Sequence, residues 1–315
     1  MTKKDLKIVF LGTPEFAVES LRRLVDGGYN IVGVVTMPDK PAGRGHHMFQ
    51  SPVKLFAIEH GLKVMQPVKL SDESFVEELR ALEADLFVVI AFRMLPRVVW
   101  QMPPLGTFNL HASLLPRYRG AAPINWAVIN GDDKTGVTTF FLKHEIDTGD
   151  IIDREEIVIA PDENVGSVHD RLMELGARLT LKTVDAIIDG TVKPIPQSAL
   201  SIDEPTPAPK IFKDTCHIDW NKPAQAVHNL VRGLSPYPAA WTDMGNNESL
   251  KIFATRITGQ KAETPGTVHA DGSTLTVDCS DYRIEILSLQ PQGKKRMDAA
   301  SWLRGVRGLL PEKFS

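Results

Sequence analysis

The chain has 315 residues, 43% hydrophobic and 24% charged, which is typical of a globular protein with about two domains. Its net charge of −3 argues against a nucleic-acid binder that is basic throughout, although a local basic surface is still possible. No apolar run reaches the roughly 18 residues of a membrane span, and the first residues lack the apolar core of a signal peptide. Only two cysteines occur. We therefore expect a cytoplasmic protein without a disulfide scaffold.

The first 110 residues alternate strand and helix patterns, beginning with the apolar run Lys7–Gly12. Thr13 can cap the following helix, which has Pro14 at its first position and ends at Gly27 and Gly28. The further predicted elements are a strand at 31–35, a helix at 53–61, a strand at 62–65, a helix at 71–84 and a strand at 85–91. Strands this apolar occur where helices cover both faces of a parallel sheet, so right-handed βαβ units of an α/β fold are predicted.

The pattern changes after a long helix predicted over 165–188, which follows strand candidates at 138–142 and 151–159. Residues 191–209 contain five prolines and little periodicity, which indicates a linker. Short β-like runs with turns between them follow Lys210. We therefore predict one domain over 1–190, a linker over 191–209 and a small β-rich domain over 210–315.

Charge separates the two parts modestly. Residues 205–315 hold 14 basic and 11 acidic side chains, a net charge of +3, whereas the rest of the chain carries −6. This difference fits a second domain that contacts a polyanion, without establishing one.

The densest group of polar side chains follows the strand at 85–91, where Asn109 and His111 lie two residues apart. In an extended segment both point to the same side, at the strand end where open α/β sheets bind ligands. The acidic turn segment 144–150 can bring a carboxylate to the same cleft. An amide that donates to an oxyanion, an imidazole that donates a proton and a carboxylate that orients it can catalyse acyl transfer to an amine. On spacing alone, a structural hydrogen-bonding pair and a plain turn are the more frequent interpretations.

The order of these motifs resembles that of the 10-formyltetrahydrofolate-dependent formyltransferases. The matching segments are Asn109-Leu110-His111-Ala112-Ser113-Leu114-Leu115-Pro116, Arg119-Gly120-Ala121-Ala122-Pro123 and Asp147-Thr148-Gly149-Asp150. The resemblance implies that the catalytic positions of the family fall on Asn109, His111 and Asp147. It also implies a Rossmann-like formyltransferase domain over 1–190, with 10-formyltetrahydrofolate as cosubstrate. No metal-ligand spacing occurs in the sequence, so no metal is expected.

A second matching segment, 88–96, lies where the family has its folate-pocket loop. The resemblance implies that backbone groups there bind the pterin ring and that Arg93, Met94 and Leu95 line the entrance. Taken alone, Arg93 is more simply a solvated charge at the end of a strand. The residues that the resemblance assigns to folate binding are Phe92, Arg93, Met94, Leu95, Ser113, Leu114, Leu115 and Pro116.

Two features resemble the members of the family that formylate initiator methionyl-tRNA. One is the loop 37–47, with Lys40, Arg44 and two histidines where lysines are frequent. The other is the C-terminal part, which in those members is a small OB-like barrel. The resemblance implies tRNA contacts by Lys40, Arg44, Lys294, Lys295 and Arg296. Both segments are, by themselves, as readily explained as solvated surface turns.

The expected activity is therefore formyl transfer from 10-formyltetrahydrofolate to initiator methionyl-tRNA, by a protein expected to be monomeric. Three alternatives stay open: a formyltransferase with another acceptor such as an amino sugar nucleotide, a hydrolase that passes the formyl group to water, and a nucleotide or RNA binder without catalysis. The start of the chain has neither the Gly-x-Gly-x-x-Gly nor the phosphate-binding lysine motif expected of a nucleotide binder.

Overall fold

A computed structural model describes residues 1–42, 47–200, 206–245, 248–306 and 310–315. The chain forms two compact units: the first unit comprises 1–120, 136–157 and 169–207, and the second unit comprises 121–135, 158–168 and 208–315. The predicted domains were contiguous in sequence, whereas these units are not, because residues 121–135 and 158–168 pack with the C-terminal residues.

The elements that begin in the first 120 residues agree in type and order with the sequence patterns, with three short strands and a short helix in addition. Their bounds are β1 Lys7–Gly12, α1 Glu15–Asp26, β2 Asn30–Val35, β3 Lys40–Ala42, β4 His47–Phe49, α2 Pro52–Glu59, β5 Val64–Met65, α3 Glu73–Arg80, β6 Leu86–Ile90, α4 Arg97–Trp100, β7 Thr107–His111 and β8 Arg119–Gly120. The additional elements are the strands β3, β4 and β8 and the helix α4. The helix predicted over 71–84 is shorter, since its N-cap is Asp72 and its C-cap is Ala81.

The remaining elements are α5 Pro123–Ile129, β9 Lys134–Phe141, β10 Ile151–Val158, α6 Val165–Ile188, β11 Pro207–Ala208, α7 Ala224–Leu234, β12 Ala240–Asp243, β13 Ser249–Lys261, β14 Val268–Asp271, β15 Thr274–Asp278, β16 Tyr282–Pro291, β17 Met297–Asp298 and α8 Ala299–Gly305. Single 3₁₀ turns occur at Gln197–Ala199 and Asp214–Cys216. The long helix begins and ends where its apolar stripe predicts.

The first unit is built on a seven-stranded sheet with the order β10-β9-β7-β6-β1-β2-β5. The pairs β1–β2, β1–β6, β2–β5 and β6–β7 are parallel, and β9 is antiparallel to β7. This confirms the predicted Rossmann-like domain with a mostly parallel sheet. The chain leaves β1 toward β2 and β5 and then returns to the other side of β1 as β6, so β1 and β6 flank the point where the strand order reverses. Ligands of such sheets bind outside the carboxyl ends of the strands at this point.

The second unit contains an antiparallel sheet with the order β12-β13-β16-β15-β14, and β17 pairs with β16. Its core joins α7 to the sheet, with Val227, Val231, Leu250, Ile252 and Ile286 all almost fully buried. The predicted small β-rich domain is thereby confirmed, and its OB-like character stays a prediction.

The predicted linker is not free chain over its whole length. Ile195 exchanges two backbone hydrogen bonds of 2.8 Å with Ile151, and a 3₁₀ turn follows at Gln197–Ala199. Residues 201–205 of the linker lie outside the described part of the chain. Proline content predicted the irregular backbone correctly, but it could not show which residues pair with the sheet.

Candidate active site

Strand β7 presents Asn109 and His111 on one face and the buried Phe108 and Leu110 on the other. Asn109 lies opposite Phe140 of β9, and His111 lies opposite Thr138. Because side chains alternate along a strand, the two polar groups stand next to each other near the carboxyl end of β7. The predicted placement of these two residues therefore agrees with the structure.

The imidazole of His111 is held from two sides and is only 7% exposed. Its Nε2 lies 2.8 Å from the backbone carbonyl oxygen of Tyr118. A carbonyl oxygen can only accept, so Nε2 carries the proton and donates it to this bond. Nδ1 faces Asp147, with 3.8 Å to Oδ2, which is an ion-pair distance and longer than a hydrogen bond. When the ring is neutral, Nδ1 is therefore its unprotonated nitrogen, and it faces this carboxylate.

Asp147 lies in the turn segment between β9 and β10 and has a left-handed backbone, with φ of +54°. Its Oδ2 accepts a 3.0 Å hydrogen bond from the backbone N–H of Gly120. Two residues later, Gly149 is buried so closely against β9 that a Cβ would overlap the carbonyl oxygen of Phe141. The glycine of the Asp-Thr-Gly-Asp motif is therefore required for the turn that brings Asp147 to His111. The structure brings all three predicted catalytic residues into the first unit near one strand end.

Three buried polar atoms without a hydrogen-bond partner in the described residues belong to this end of the sheet: Thr13 Oγ1, Arg93 Nε and Asn109 Oδ1. Thr13 follows β1, Arg93 follows β6, and Asn109 lies in β7. Two further atoms of this kind, Ser20 Oγ and Thr135 Oγ1, lie elsewhere in the chain. Buried polar atoms are nearly always satisfied in folded proteins, so a polar ligand or ordered water can supply the missing partners. This edge of the sheet fits a cosubstrate rich in donors and acceptors, such as a reduced folate.

The sequence predicted that Thr13 caps helix α1, and this prediction is wrong. The N-cap is Pro14, which offers no side-chain oxygen, and the Thr13 hydroxyl has no partner among the described residues. The hydroxyl therefore stands at the carboxyl end of β1 instead of at the helix terminus.

The predicted folate-pocket loop leaves β6 through Ala91, whose φ is +47°. Arg93 then turns back, donating from Nη1 to the carbonyl oxygen of Val68 at 2.7 Å and from Nη2 to that of Pro67. Burial lowers the pKa of the Arg93 guanidinium from its ordinary value. The interpretation of Arg93 as a solvated charge is therefore wrong: its guanidinium ties residues 67–68 to the loop.

The other predicted residues of this loop differ in exposure. The Phe92 ring is half-buried, with the Arg93 guanidinium 5.6 Å from its centroid. Leu95 is buried, whereas Met94 is 71% exposed. Folate contact by Phe92, Met94 and Leu95 stays a prediction.

The predicted segment 113–116 is held by the Thr138 hydroxyl, which donates to the Ser113 carbonyl oxygen at 2.6 Å and accepts from the Leu115 N–H at 3.1 Å. The Ser113 hydroxyl donates to the carbonyl oxygen of Arg117. Ser113 and Leu115 are fully buried, Pro116 is buried, and Leu114 is half-buried. Ser113 and Leu115 thus fix the course of the segment, and folate contact by 113–116 stays a prediction.

The predicted tRNA-binding residues fall in both units. Lys40 is exposed on β3, and Arg44 lies outside the described residues. Lys294 and Lys295 are exposed in the turn between β16 and β17. Arg296 is held over the Phe253 ring at 4.4 Å and donates to the Ser288 hydroxyl at 2.9 Å.

The site contains contacts that sequence reasoning missed. Tyr118 and Gly120 contribute through their backbone, and Gln197 lies inside the predicted linker. A backbone contact leaves no signature in residue type, and one glutamine among prolines gives no periodic signal. Among the described residues no group of three or more His, Cys, Asp and Glu side chains could hold a metal ion. Within the same residues no helix has the length and apolar character needed to cross a membrane.

Comparison with known proteins identifies the family of this chain. A family model described as formyl transferase matches residues 6–184, and one described as formyl transferase, C-terminal domain, matches residues 210–307. A methionyl-tRNA formyltransferase of Bacteroides fragilis is 58% identical over 100% of this chain and 98% of its own. One of Phocaeicola vulgatus is 59% identical over 98% of each chain. Among solved structures, WlaRD, a sugar 3N-formyl transferase crystallised in the presence of dTDP and 5-N-formyl-THF, matches with a TM-score of 0.67 and 20% identity over 92% of this chain and 99% of that one, a likeness of fold. The chain therefore belongs to the formyl transferase family.

Proposed function

We propose that this chain transfers the formyl group of 10-formyltetrahydrofolate to the free amino group of initiator methionyl-tRNA, giving the N-formylmethionyl-tRNA used to start translation. The observation that carries the proposal is the group of Asn109, His111 and Asp147 at one strand end, in a chain that is 58% identical over its whole length to a methionyl-tRNA formyltransferase. The functions of the three residues below are part of the proposal.

10-Formyltetrahydrofolate supplies the formyl carbon: the methionyl nitrogen adds to it, a tetrahedral intermediate forms, and the bond from the carbon to N10 then breaks. Asn109 binds at the reacting centre because its amide oxygen is buried and has no partner in the described residues. The amide N–H donates to the formyl oxygen as negative charge develops there, and the amide oxygen accepts from the attacking amine. A donor of this kind contributes about 3 kcal/mol, or about a hundredfold in rate.

His111 and Asp147 assist the transfer of the proton that the amine loses. Since Nε2 is bonded to the Tyr118 carbonyl, Nδ1 is the nitrogen at which the ring gains or gives a proton. Asp147, 3.8 Å from Nδ1, stabilises the ring when it is charged. The charged imidazole adds to the stabilisation of the formyl oxygen, and the proton passes from the amine toward the leaving nitrogen.

The reduced folate is proposed to bind at the carboxyl ends of β1, β6 and β7. The apolar Phe92, Met94 and Leu95 form the wall of this pocket, and segment 113–116 lines its far side. Arg93 acts on the pocket by holding residues 67–68. Backbone groups of residues 91–95 bind the polar edge of the pterin.

The tRNA is proposed to contact Lys40, Arg44, Lys294, Lys295 and Arg296. Lysine and arginine side chains bind nucleic acid mainly through phosphates, which positions the substrate without selecting sequence. The two cysteines, Cys216 and Cys279, are buried and free, and free thiols fit the reducing cytoplasm in which we propose that the chain acts, as a monomer.

The direct test is single-turnover formylation with purified methionyl initiator tRNA and 10-formyltetrahydrofolate, followed by mass spectrometry of the aminoacyl product. We expect formylmethionyl-tRNA from charged tRNA and none from uncharged tRNA. Asn109→Ala and His111→Ala should each lower the rate about a hundredfold. Formate released without tRNA would instead indicate a hydrolase, and formylation of an amino sugar nucleotide alone would indicate another acceptor.

A further inference from the structure

Gln197 is a buried glutamine in the segment that sequence alone predicts to be a linker, and it is 5% exposed. Its Nε2 donates to the backbone carbonyl oxygens of Asp147 at 2.8 Å and Gly149 at 2.9 Å. Its Oε1 accepts from the Nε and Nη2 of Arg119 at 3.2 and 2.7 Å. A primary amide has two N–H donors and two lone pairs, so every hydrogen-bonding position of Gln197 is occupied.

These bonds belong to a closed ring that includes the Asp147 carboxylate. Arg119 donates to Gln197, Gln197 donates to the backbone of Asp147, and the Asp147 carboxylate accepts from the N–H of Gly120, the residue after Arg119. Three separate segments of the first unit are thereby joined at Asp147. The ring fixes both its backbone and its side chain.

The turn that carries Asp147 needs such support. Residues 143–146 are exposed, and Asp147 has the left-handed backbone that favours glycine. Gln197 is the donor that satisfies the backbone carbonyl oxygens of Asp147 and Gly149. Without it, the turn gives up the hydrogen bonds that help to place the carboxylate 3.8 Å from His111 Nδ1.

We propose that Gln197 is a positioning residue for formyl transfer: it holds the turn 147–149 so that the Asp147 carboxylate faces His111. The proposal rests on the proposed function, since it assigns Gln197 a part in the same reaction. Gln197 acts on the reaction through the backbone of Asp147, to which it donates. A displacement of about 1 Å in a reacting group costs about a hundredfold in rate.

The test replaces Gln197 by methionine, which keeps the length of the side chain and removes its donors and acceptors. We expect Gln197→Met to lower kcat about a hundredfold, while KM for methionyl-tRNA and for 10-formyltetrahydrofolate stays within about threefold. In an Asp147→Asn background the same substitution should cost less than about twofold, because the group it positions is already removed. The matched control is Ser198→Ala, an exposed neighbour in the same 3₁₀ turn, expected to match wild type.

A readout independent of activity is hydrogen exchange at the Gly120 amide, which donates to Asp147. It should speed up at least about tenfold in Gln197→Met and remain unchanged in Ser198→Ala. If Gln197→Met does not fold, Arg119→Met opens the same ring from the other side and should give the same fall in kcat and the same faster exchange.

The outcomes distinguish a failure of the positioning role of Gln197 from a failure of the proposed formyl transfer. A folded Gln197→Met with wild-type kcat, or one whose activity falls equally in the wild-type and Asp147→Asn backgrounds, would overturn the positioning role alone. A wild-type chain that makes no formylmethionyl-tRNA would overturn the proposed function, and this inference with it.

Discussion

The Nδ1 of His111 lies 3.8 Å from the Oδ2 of Asp147, while the opposite ring nitrogen is bonded to a backbone carbonyl. The ring cannot rotate away without giving up that hydrogen bond, so the carboxylate stays opposite Nδ1. Gly120 binds the same carboxylate oxygen at 3.0 Å, which keeps the carboxylate in place whether or not the ring is charged.

The charge of Asp147 is predicted to be needed in addition to its shape. Asp147→Asn keeps the size of the side chain and removes the charge that stabilises protonated His111, so we expect kcat to fall about a hundredfold with little change in either KM. Single-turnover formylation measures this. The matched control is Asp150→Asn in the same segment, whose Oδ1 pairs with Lys143 at 2.6 Å on the surface, and which should stay near wild type. Equal rates for the two variants would remove Asp147 from the mechanism.

Arg93 is predicted to shape the folate pocket. Arg93→Met removes the donors to the carbonyl groups of Pro67 and Val68, so the loop should loosen and KM for 10-formyltetrahydrofolate should rise about tenfold. KM for methionyl-tRNA should stay within about twofold. Arg97→Met, an exposed arginine whose Nε donates to Gln101, is the control. A rise in KM for tRNA instead of folate would contradict this placement of Arg93.

Asp278 is predicted to make the stability of the second unit depend on pH. Burial alone would raise the pKa of this carboxyl, but donors from the Glu263 and Thr264 backbones, His269 and Arg283 hold it below 3.8. Because the folded-state pKa is lowered, the stabilisation is present above about pH 4 and is lost as pH falls through the lowered value.

Urea unfolding across pH measures this effect. Asp278→Asn should lower the free energy of unfolding by about 3 kcal/mol at pH 7, since it breaks a buried ionic network, and the difference from wild type should shrink as the pH falls below about 4. The exposed Asp271→Asn in β14 should show no comparable effect. A difference that is constant down to about pH 2 would mean that Asp278 stabilises the fold by packing and not by charge.

Lys294 and Lys295 are predicted to bind tRNA phosphates. The double variant Lys294→Ala, Lys295→Ala should weaken tRNA binding, and the slope of log K against log salt should become smaller by about 0.7 to 0.9 for each phosphate that the variant no longer neutralises. KM for 10-formyltetrahydrofolate should be unaffected. Lys261→Ala, an exposed lysine at the end of β13, is the control, and identical salt slopes for wild type and the double variant would reject phosphate binding by these two lysines.

Most elements of the first unit can be predicted from the order of residues, and the candidate site residues can be predicted from the resemblance of their ordered motifs to a family. Apolar runs between helix signals predict parallel strands because only strands covered on both faces are apolar throughout, and β1, β2 and β6 follow this pattern. Asn109 and His111 could be placed on one face because side chains alternate along any strand. The ordered motifs around them predicted Asp147 as their partner.

How these residues are held depends on the folded arrangement of distant segments. The His111 tautomer depends on the Tyr118 carbonyl, and the Asp147 carboxylate depends on the Gly120 N–H, and backbone groups are the same in every residue. Arg93 and Gln197 bind main-chain oxygens far away in sequence, so neither their spacing nor their neighbours reveal a partner. The packing of 121–135 and 158–168 with the C-terminal residues could not be predicted from sequence either. These segments are far apart along the chain, and no periodic pattern of residues links them.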